Sequence, residues 1–207
     1  YLKNVGNETA TNVRATLAST DEYVTITDGF ETYGDILPGA ENPPAEDFDL
    51  AVAPGCPDGH LIAFTVTIES DNRMAGEKHF SMPVSAPAID LSQWTINDDL
   101  GNGNGRIEPG ETVTVAVKLG NSGSEDATNL DVTLSISSSY ATIGQSQATL
   151  GLLPAGGSGV LVPPFEIAVA SNCPDPDLLL SHLAVNADWG QGGQLDIVGD
   201  EQDGDVL

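Results

Sequence analysis

Apolar residues fall on every second position through most of this chain. Val13, Ala15 and Leu17 alternate with polar neighbours, as do Ile62, Phe64, Val66 and Ile68, then Phe80, Met82 and Val84, with Phe48, Leu50 and Val52 as a shorter run. Further along come Val113, Val115, Val117 and Leu119, then Leu130, Val132, Leu134 and Ile136. Phe165, Ile167 and Val169 follow, then Leu179, Leu183 and Val185, and last Leu195 and Ile197. A two-residue period turns one face of each strand to a core and the other to water, as in antiparallel sheets packed face to face. No stretch sustains a 3.6-residue apolar period. Turn-forming clusters such as Pro38-Gly39, Asn42-Pro43-Pro44 and Ala155-Gly156-Gly157-Ser158-Gly159 punctuate the runs. The expected fold is all-β.

The pattern occurs twice. Ala10-Thr11-Asn12-Val13 returns as Ala127-Thr128-Asn129-Leu130, and Tyr23 with Thr25-Ile26 returns as Tyr140 with Thr142-Ile143. Phe48 returns as Phe165, and Cys56-Pro57-Asp58 as Cys173-Pro174-Asp175, every pair 117 residues apart. Leu37-Pro38 against Leu153-Pro154 slips by one, a compensated gap in a loop. A tandem duplication with several short strands per copy predicts tandem immunoglobulin-like antiparallel β-sandwiches. Residues 91 to 117 have no counterpart ahead of Tyr1. The expected domains are therefore 1–88, a repeat lacking its N-terminal strands, and 89–207, a second repeat opening with a glycine-rich loop. Two readings follow from the asymmetry: the chain is a segment of a longer array, or another molecule supplies the strands by β-augmentation, making a homopolymer through strand complementation.

Charge narrows the function classes. Against 31 acidic residues there are 6 Lys and Arg, a net charge of -25. A chain with so few cations has no patch with which to neutralise nucleic-acid phosphates or anionic lipid. The excess suits solubility by self-repulsion, and bound divalent cations would neutralise part of it. No apolar run approaches the ~20 residues needed to span a membrane, and no signal peptide is visible.

The densest chemistry lies in the fifteen residues Asn97 to Glu111, which combine carboxylates, amide oxygens and glycines. Short oxygen-bearing side chains on a glycine-bent backbone are what calcium requires. With Gly105 at the sharp-turn position of an EF-hand-type loop, Asn102, Asn104, the Arg106 carbonyl, Glu108 and Glu111 fall at ligand positions. Leu100 occupies the first position and offers no side-chain oxygen, so Asp98 or Asp99 must reach in from outside that register. The candidate metal residues are Asp98, Asp99, Asn102, Asn104, Arg106, Glu108 and Glu111, with calcium as the cofactor. The competing reading is a glycine-rich turn whose Asn and Asp side chains cap their own backbone. A phosphate cradle is excluded, since no Lys-Ser/Thr follows the glycines.

This loop, the Val-rich strand after it, and Asn121-Ser122-Gly123-Ser124 before Ala127-Thr128-Asn129 resemble bacterial extracellular immunoglobulin-like repeats of the CARDB-like group. Such repeats occur in large secreted and surface proteins, including regions after gingipain-type secreted peptidase domains. Gly55-Cys56-Pro57-Asp58-Gly59-His60 is similar to the same repeats. The resemblance implies a secreted or cell-surface, non-catalytic structural or adhesive β-sandwich. Its partners would be neighbouring copies or adjacent domains of the same protein, and the calcium loop would stiffen the junction. An accessory region of a secreted peptidase and a carbohydrate- or partner-binding module are the alternatives.

Catalytic motifs are lacking. His60, His79 and His182 show no metal-ligand spacing, and no Gly-x-Ser-x-Gly elbow occurs. Cys56 and Cys173 sit at equivalent repeat positions, open to an intrachain bridge, an intermolecular bridge or free thiols. Trp94 and Trp189 suit either packing or sugar stacking. Asn7-Glu8-Thr9 is a formal glycosylation sequon of low specificity.

Overall fold

The computed structural model describes residues 1–174, 181–188 and 193–198, the last two stretches as backbone only. Leu179, Asp175 and Trp189, singled out above, lie outside the described residues. The protein is all-β, with antiparallel pairing throughout, and divides into two compact units at Val84/Ser85.

Unit 1 contains β1 (Leu2–Lys3), β2 (Ala10–Ala18), β3 (Val24–Asp28), β4 (Phe30–Ile36), β5 (Glu41–Asn42), β6 (Asp49–Val52), β7 (Leu61–Ser70) and β8 (Arg73–Pro83). Its main sheet has the order β4-β2-β7-β8, with β3-β6 and β1-β5 as smaller pairs. Unit 2 contains β9 (Ile89–Asn97), β10 (Thr112–Asn121), β11 (Ala127–Ile136), β12 (Ala141–Gln145), β13 (Gln147–Leu153), β14 (Ser158–Val160), β15 (Phe165–Val169), β16 (Ser181–Asp188) and β17 (Gly193–Val198). One sheet runs β13-β11-β16-β17; the other runs β12-β15-β10-β14, with β9 also on β10.

The alternation decides which face packs. Leu130 and Val132 on β11 are 0% and 1% exposed while Asp131 between them is exposed. Unit 2 has one continuous core, in which Val113, Val117 and Leu119 of β10 meet Leu130, Val132 and Phe165. Unit 1 has two smaller clusters, around Val13, Ala15, Tyr33 and Ile36 and around Leu17, Ile62 and Phe64, with Phe48 against both. Phe80 and Met82, whose spacing suggested a buried face, are each 45% exposed. The reason is position: β8 is an edge strand, so Phe80 covers its cross-strand neighbour Phe64 from one side, ring centroids 5.2 Å apart, and itself stays half in water.

Local structure recurs at a spacing of 117 residues. Asn12 and Asn129 are the two non-glycine residues with positive φ among those described, at 49° and 51°. Each sits where the strand register slips, in β2 and β11 respectively. Asparagine tolerates this left-handed conformation better than most residues. Asn4 and Asn121 brace matching turns. Asn4 Nδ2 donates to the carbonyls of Glu8 (2.7 Å) and Ile36 (2.9 Å), and its Oδ1 accepts the Gly6 N–H (2.9 Å). Asn121 Nδ2 donates to Glu125 (2.8 Å) and Leu153 (3.2 Å), and its Oδ1 accepts the Gly123 N–H (3.0 Å). Asn121 Oδ1 also takes the Ala88 N–H at 3.0 Å.

Candidate functional site

The oxygen-rich loop closes the β9–β10 hairpin, in which Asn97 stands opposite Thr114. Gly103, Gly105 and Gly110 have φ of 74°, 77° and 89°, backbone that a side chain would strain. Between these bends each asparagine caps an amide two residues on. Asn97 Oδ1 takes the Asp99 N–H (2.9 Å), Asn102 Oδ1 that of Asn104 (3.1 Å), and Asn104 Oδ1 that of Arg106 (2.8 Å).

Two carboxylates hold the loop from inside. Asp98 is 4% exposed, and its Oδ2 accepts the N–H groups of Asn104 (2.8 Å) and Gly105 (3.1 Å). Glu111 accepts the Asn102 N–H on Oε1 (3.1 Å) and the Glu108 N–H on Oε2 (3.2 Å). Glu108 in turn receives Asn102 Nδ2. The Glu111 carbonyl accepts the Val169 N–H (2.8 Å) and the Gly110 N–H donates to the Val169 carbonyl (3.0 Å), stitching the loop to β15. Ile107 packs onto the core of unit 2.

The sequence-derived candidates thus divide. Asp98, Asn102, Asn104, Glu108 and Glu111 are brought together; of the two adjacent acids Asp98 is the one that turns inward, onto the Asn104 and Gly105 amides, and Leu100 is 76% exposed. Asp99 points outward and bonds Asn97 Nδ2 (2.9 Å). Arg106 is exposed and contributes its N–H to the Asn104 cap. Hard oxygens in this number suit calcium by chemistry. In the conformation described, however, the carboxylates face the loop's own amides, and among the described residues no three His, Cys, Asp or Glu side chains converge on a metal-sized point.

Periodicity did not mark a second polar cluster, in unit 1. His60 Nε2 lies 2.8 Å from Asp21 Oδ2, Asp21 Oδ1 takes the Tyr23 N–H at 2.9 Å, and the Tyr23 ring meets His60 edge-on at 5.0 Å. The Tyr23 amide and then His60 hold the Asp21 carboxyl below its ordinary value. Cys56 is buried nearby as a free thiol, its pKa raised first by burial and then by the charge of Asp21. That is the opposite of what activates a cysteine nucleophile. The pair is separated by 39 residues, with no local pattern to announce it. Elsewhere Arg14 bonds Asp71 (2.8 Å) and Glu69 (3.2 Å) on the surface, His79 meets Thr65 Oγ1 (3.0 Å), and Cys173 Sγ lies 3.8 Å from the Pro174 carbonyl. Trp94, on β9, is 46% exposed rather than packed in a core.

No protein-family model matches the chain, and neither does any curated protein. Among solved structures it is similar to a protein of unknown function from Porphyromonas gingivalis W83, at 13% identity and a TM-score of 0.26, covering 94% of this chain and 86% of that one. It is also similar to the secreted serine protease VesC from Vibrio cholerae, at 13% identity and a TM-score of 0.27, covering 90% of this chain and 45% of that one. At these scores neither likeness carries a function to this chain.

Proposed function

We propose that this chain is a non-catalytic, extracellular structural or adhesive β-sandwich, built as two copies of one module of the CARDB-like kind. The observation that carries the reading is the pair of asparagine braces. Asn4 and Asn121 hold the same three partners, each 117 residues apart, with bond lengths of 2.7 to 3.2 Å. Matching side-chain geometry at that level of detail supports a repeated architectural unit, and the polar side chains are spent on bracing backbone rather than on assembling a reactive group.

Within the module the Asn97–Glu111 loop acts as a clasp that fixes the β9–β10 hairpin to β15. Calcium belongs to the proposal as the ion that its oxygen set suits, while the loop's own caps hold the shape described here. Thermal melts with added calcium and then with chelator test this: calcium is expected to raise the transition of unit 2 by several degrees. An unchanged transition would remove calcium and leave a self-capped clasp. The extracellular assignment is checked by protease shaving of intact producing cells, which should remove the chain; full protection would overturn it.

A further inference from the structure

We propose that Asn102 is a site of spontaneous covalent modification, at which the Gly103 amide closes on the Asn102 side chain and water opens the resulting cyclic imide to an aspartyl or β-aspartyl residue. The site rests on the geometry of the loop. Its effect on the clasp rests on the function proposed above.

Asn4, Asn97, Asn102, Asn104 and Asn121 share one local arrangement, each accepting on Oδ1 the N–H of the residue two places on. That turn folds the side chain over the intervening peptide, so its carbonyl carbon lies beside the next residue's backbone nitrogen. A nitrogen held beside a carbonyl carbon is placed for ring closure. What the next residue is, and what its N–H already bonds, decides which asparagine reacts.

Val5 after Asn4 is β-branched and Asp98 after Asn97 is buried, so in both a side chain crowds the attacking nitrogen. Ser122 after Asn121 donates its N–H to the Ala88 carbonyl (2.9 Å). Residues 86–88 cross there so closely that a Cβ on Gly123 would lie 2.3 Å from the Ala86 carbonyl oxygen. Gly105 after Asn104 donates its N–H to Asp98 Oδ2 (3.1 Å). Gly103 after Asn102 is different. It is exposed, and among the described residues its N–H meets no acceptor. A Cβ built on it would meet nothing within 4 Å, so solvent base reaches the nitrogen.

The rest of the Asn102 side chain is set for the same step. Negative charge that builds on Oδ1 during attack is received by the Asn104 N–H at 3.1 Å. Nδ2 donates to the Glu108 carboxylate, which stabilises the amine as it takes up a proton and leaves. The Gly103 N–H proton goes to solvent base, a bond forms between that nitrogen and Cγ, the Cγ–Nδ2 bond breaks, and ammonia departs. Water then adds to either carbonyl of the ring, giving aspartate or its β-linked isomer. Water is the one co-reactant.

The product changes the clasp. The group on residue 102 that donated to Glu108 becomes an acceptor, and two carboxylates then face each other and repel. In the β-linked form the backbone also gains a methylene beside the Gly103 bend, whose φ is 74°. The loop therefore loosens with the age of the molecule.

The test incubates the whole chain in mildly alkaline buffer, folded and in urea, and maps both samples by mass spectrometry with fragmentation that separates β-aspartyl from aspartyl residues. In the folded chain Asn102 is expected to gain one mass unit roughly tenfold faster than Asn104, or more. In urea, where both glycine amides are free, the two asparagines are expected to convert at similar rates. Equal rates in the folded chain, or an Asn102 that converts more slowly folded than unfolded, would overturn the site. Asn102→Asp, the product made directly, reads the consequence: unit 2 is expected to melt several degrees below the parent. If Asn102 gains the mass while that variant melts like the parent, the site stands and the weakening of the clasp is lost.

Discussion

Asn121 shows how much one side chain carries. It is 2% exposed and holds two carbonyls and two amides drawn from three segments of unit 2. Asn121→Ala leaves those groups without partners in a buried place, at an expected cost of about 2–4 kcal/mol in urea unfolding. Asn121→Asp keeps Oδ1 but loses both donated bonds, so it should recover little. Gly123→Ala places a methyl within van der Waals radii of crossing backbone, which cannot retreat as a flexible side chain can. That variant is expected to lose more stability than Asn121→Ala, measured the same way. The Asn-x-Gly pair repeats as Asn4 with Gly6 and Asn121 with Gly123, and the structure was needed to single it out. Its bracing role was not legible, because the carbonyls it holds lie up to 32 residues away. The choice between Asp98 and Asp99 likewise rests on which of two adjacent acids turns inward, and spacing alone does not decide that.

At the level of elements, period-two alternation identifies strands well wherever a strand has a partner sheet beneath it, as Val13, Ala15 and Leu17 on β2 illustrate. It misleads on β8, where Phe80 and Met82 alternate correctly but stand at a sheet edge. The loop after β9 was legible as oxygen-rich and tightly bent, yet the same residues serve as amide acceptors or as metal ligands, and composition does not separate the two uses. The irregularities at Asn12 and Asn129 were visible only as a repeated residue. Their left-handed φ gives a clean prediction at Asn129, whose exposed side chain sits at the register slip in β11. Asn129→Ala is expected to cost about 1 kcal/mol, since a Cβ disfavours this conformation, whereas Asn129→Gly should stay within about 0.5 kcal/mol of the parent. Chemical denaturation monitored in parallel for both variants checks the ordering.

For the molecule as a whole, charge governs the response to conditions. With a net charge of -25, self-repulsion opposes the folded state, so the melting temperature should rise as sodium chloride goes from ~0.01 to ~1 M and the screening length falls from ~30 to ~3 Å. Acid acts through particular groups. Asp21, bonded by the Tyr23 amide and His60, and Asp71, bonded by Arg14 and Asn12, titrate below their ordinary value of 3.8. A lowered folded pKa contributes stability that is complete above that ordinary value and is lost as pH falls through the lowered one. Unit 1 should therefore weaken below about pH 4, and Asp21→Asn with Asp71→Asn should flatten that limb of a stability-against-pH curve. The Ala86–Ala88 crossing also has a consequence in time. Its bond to Asn121 spans 33 residues, whereas the pairing of β10 with β15 in the same unit joins Thr112 to Ala168 across a longer loop. Shorter loops close at lower entropic cost, so the crossing should belong to the folding nucleus of unit 2. Disturbing it with Gly123→Ala is then expected to slow refolding more than it speeds unfolding, a ratio that stopped-flow chevrons on the variant would measure.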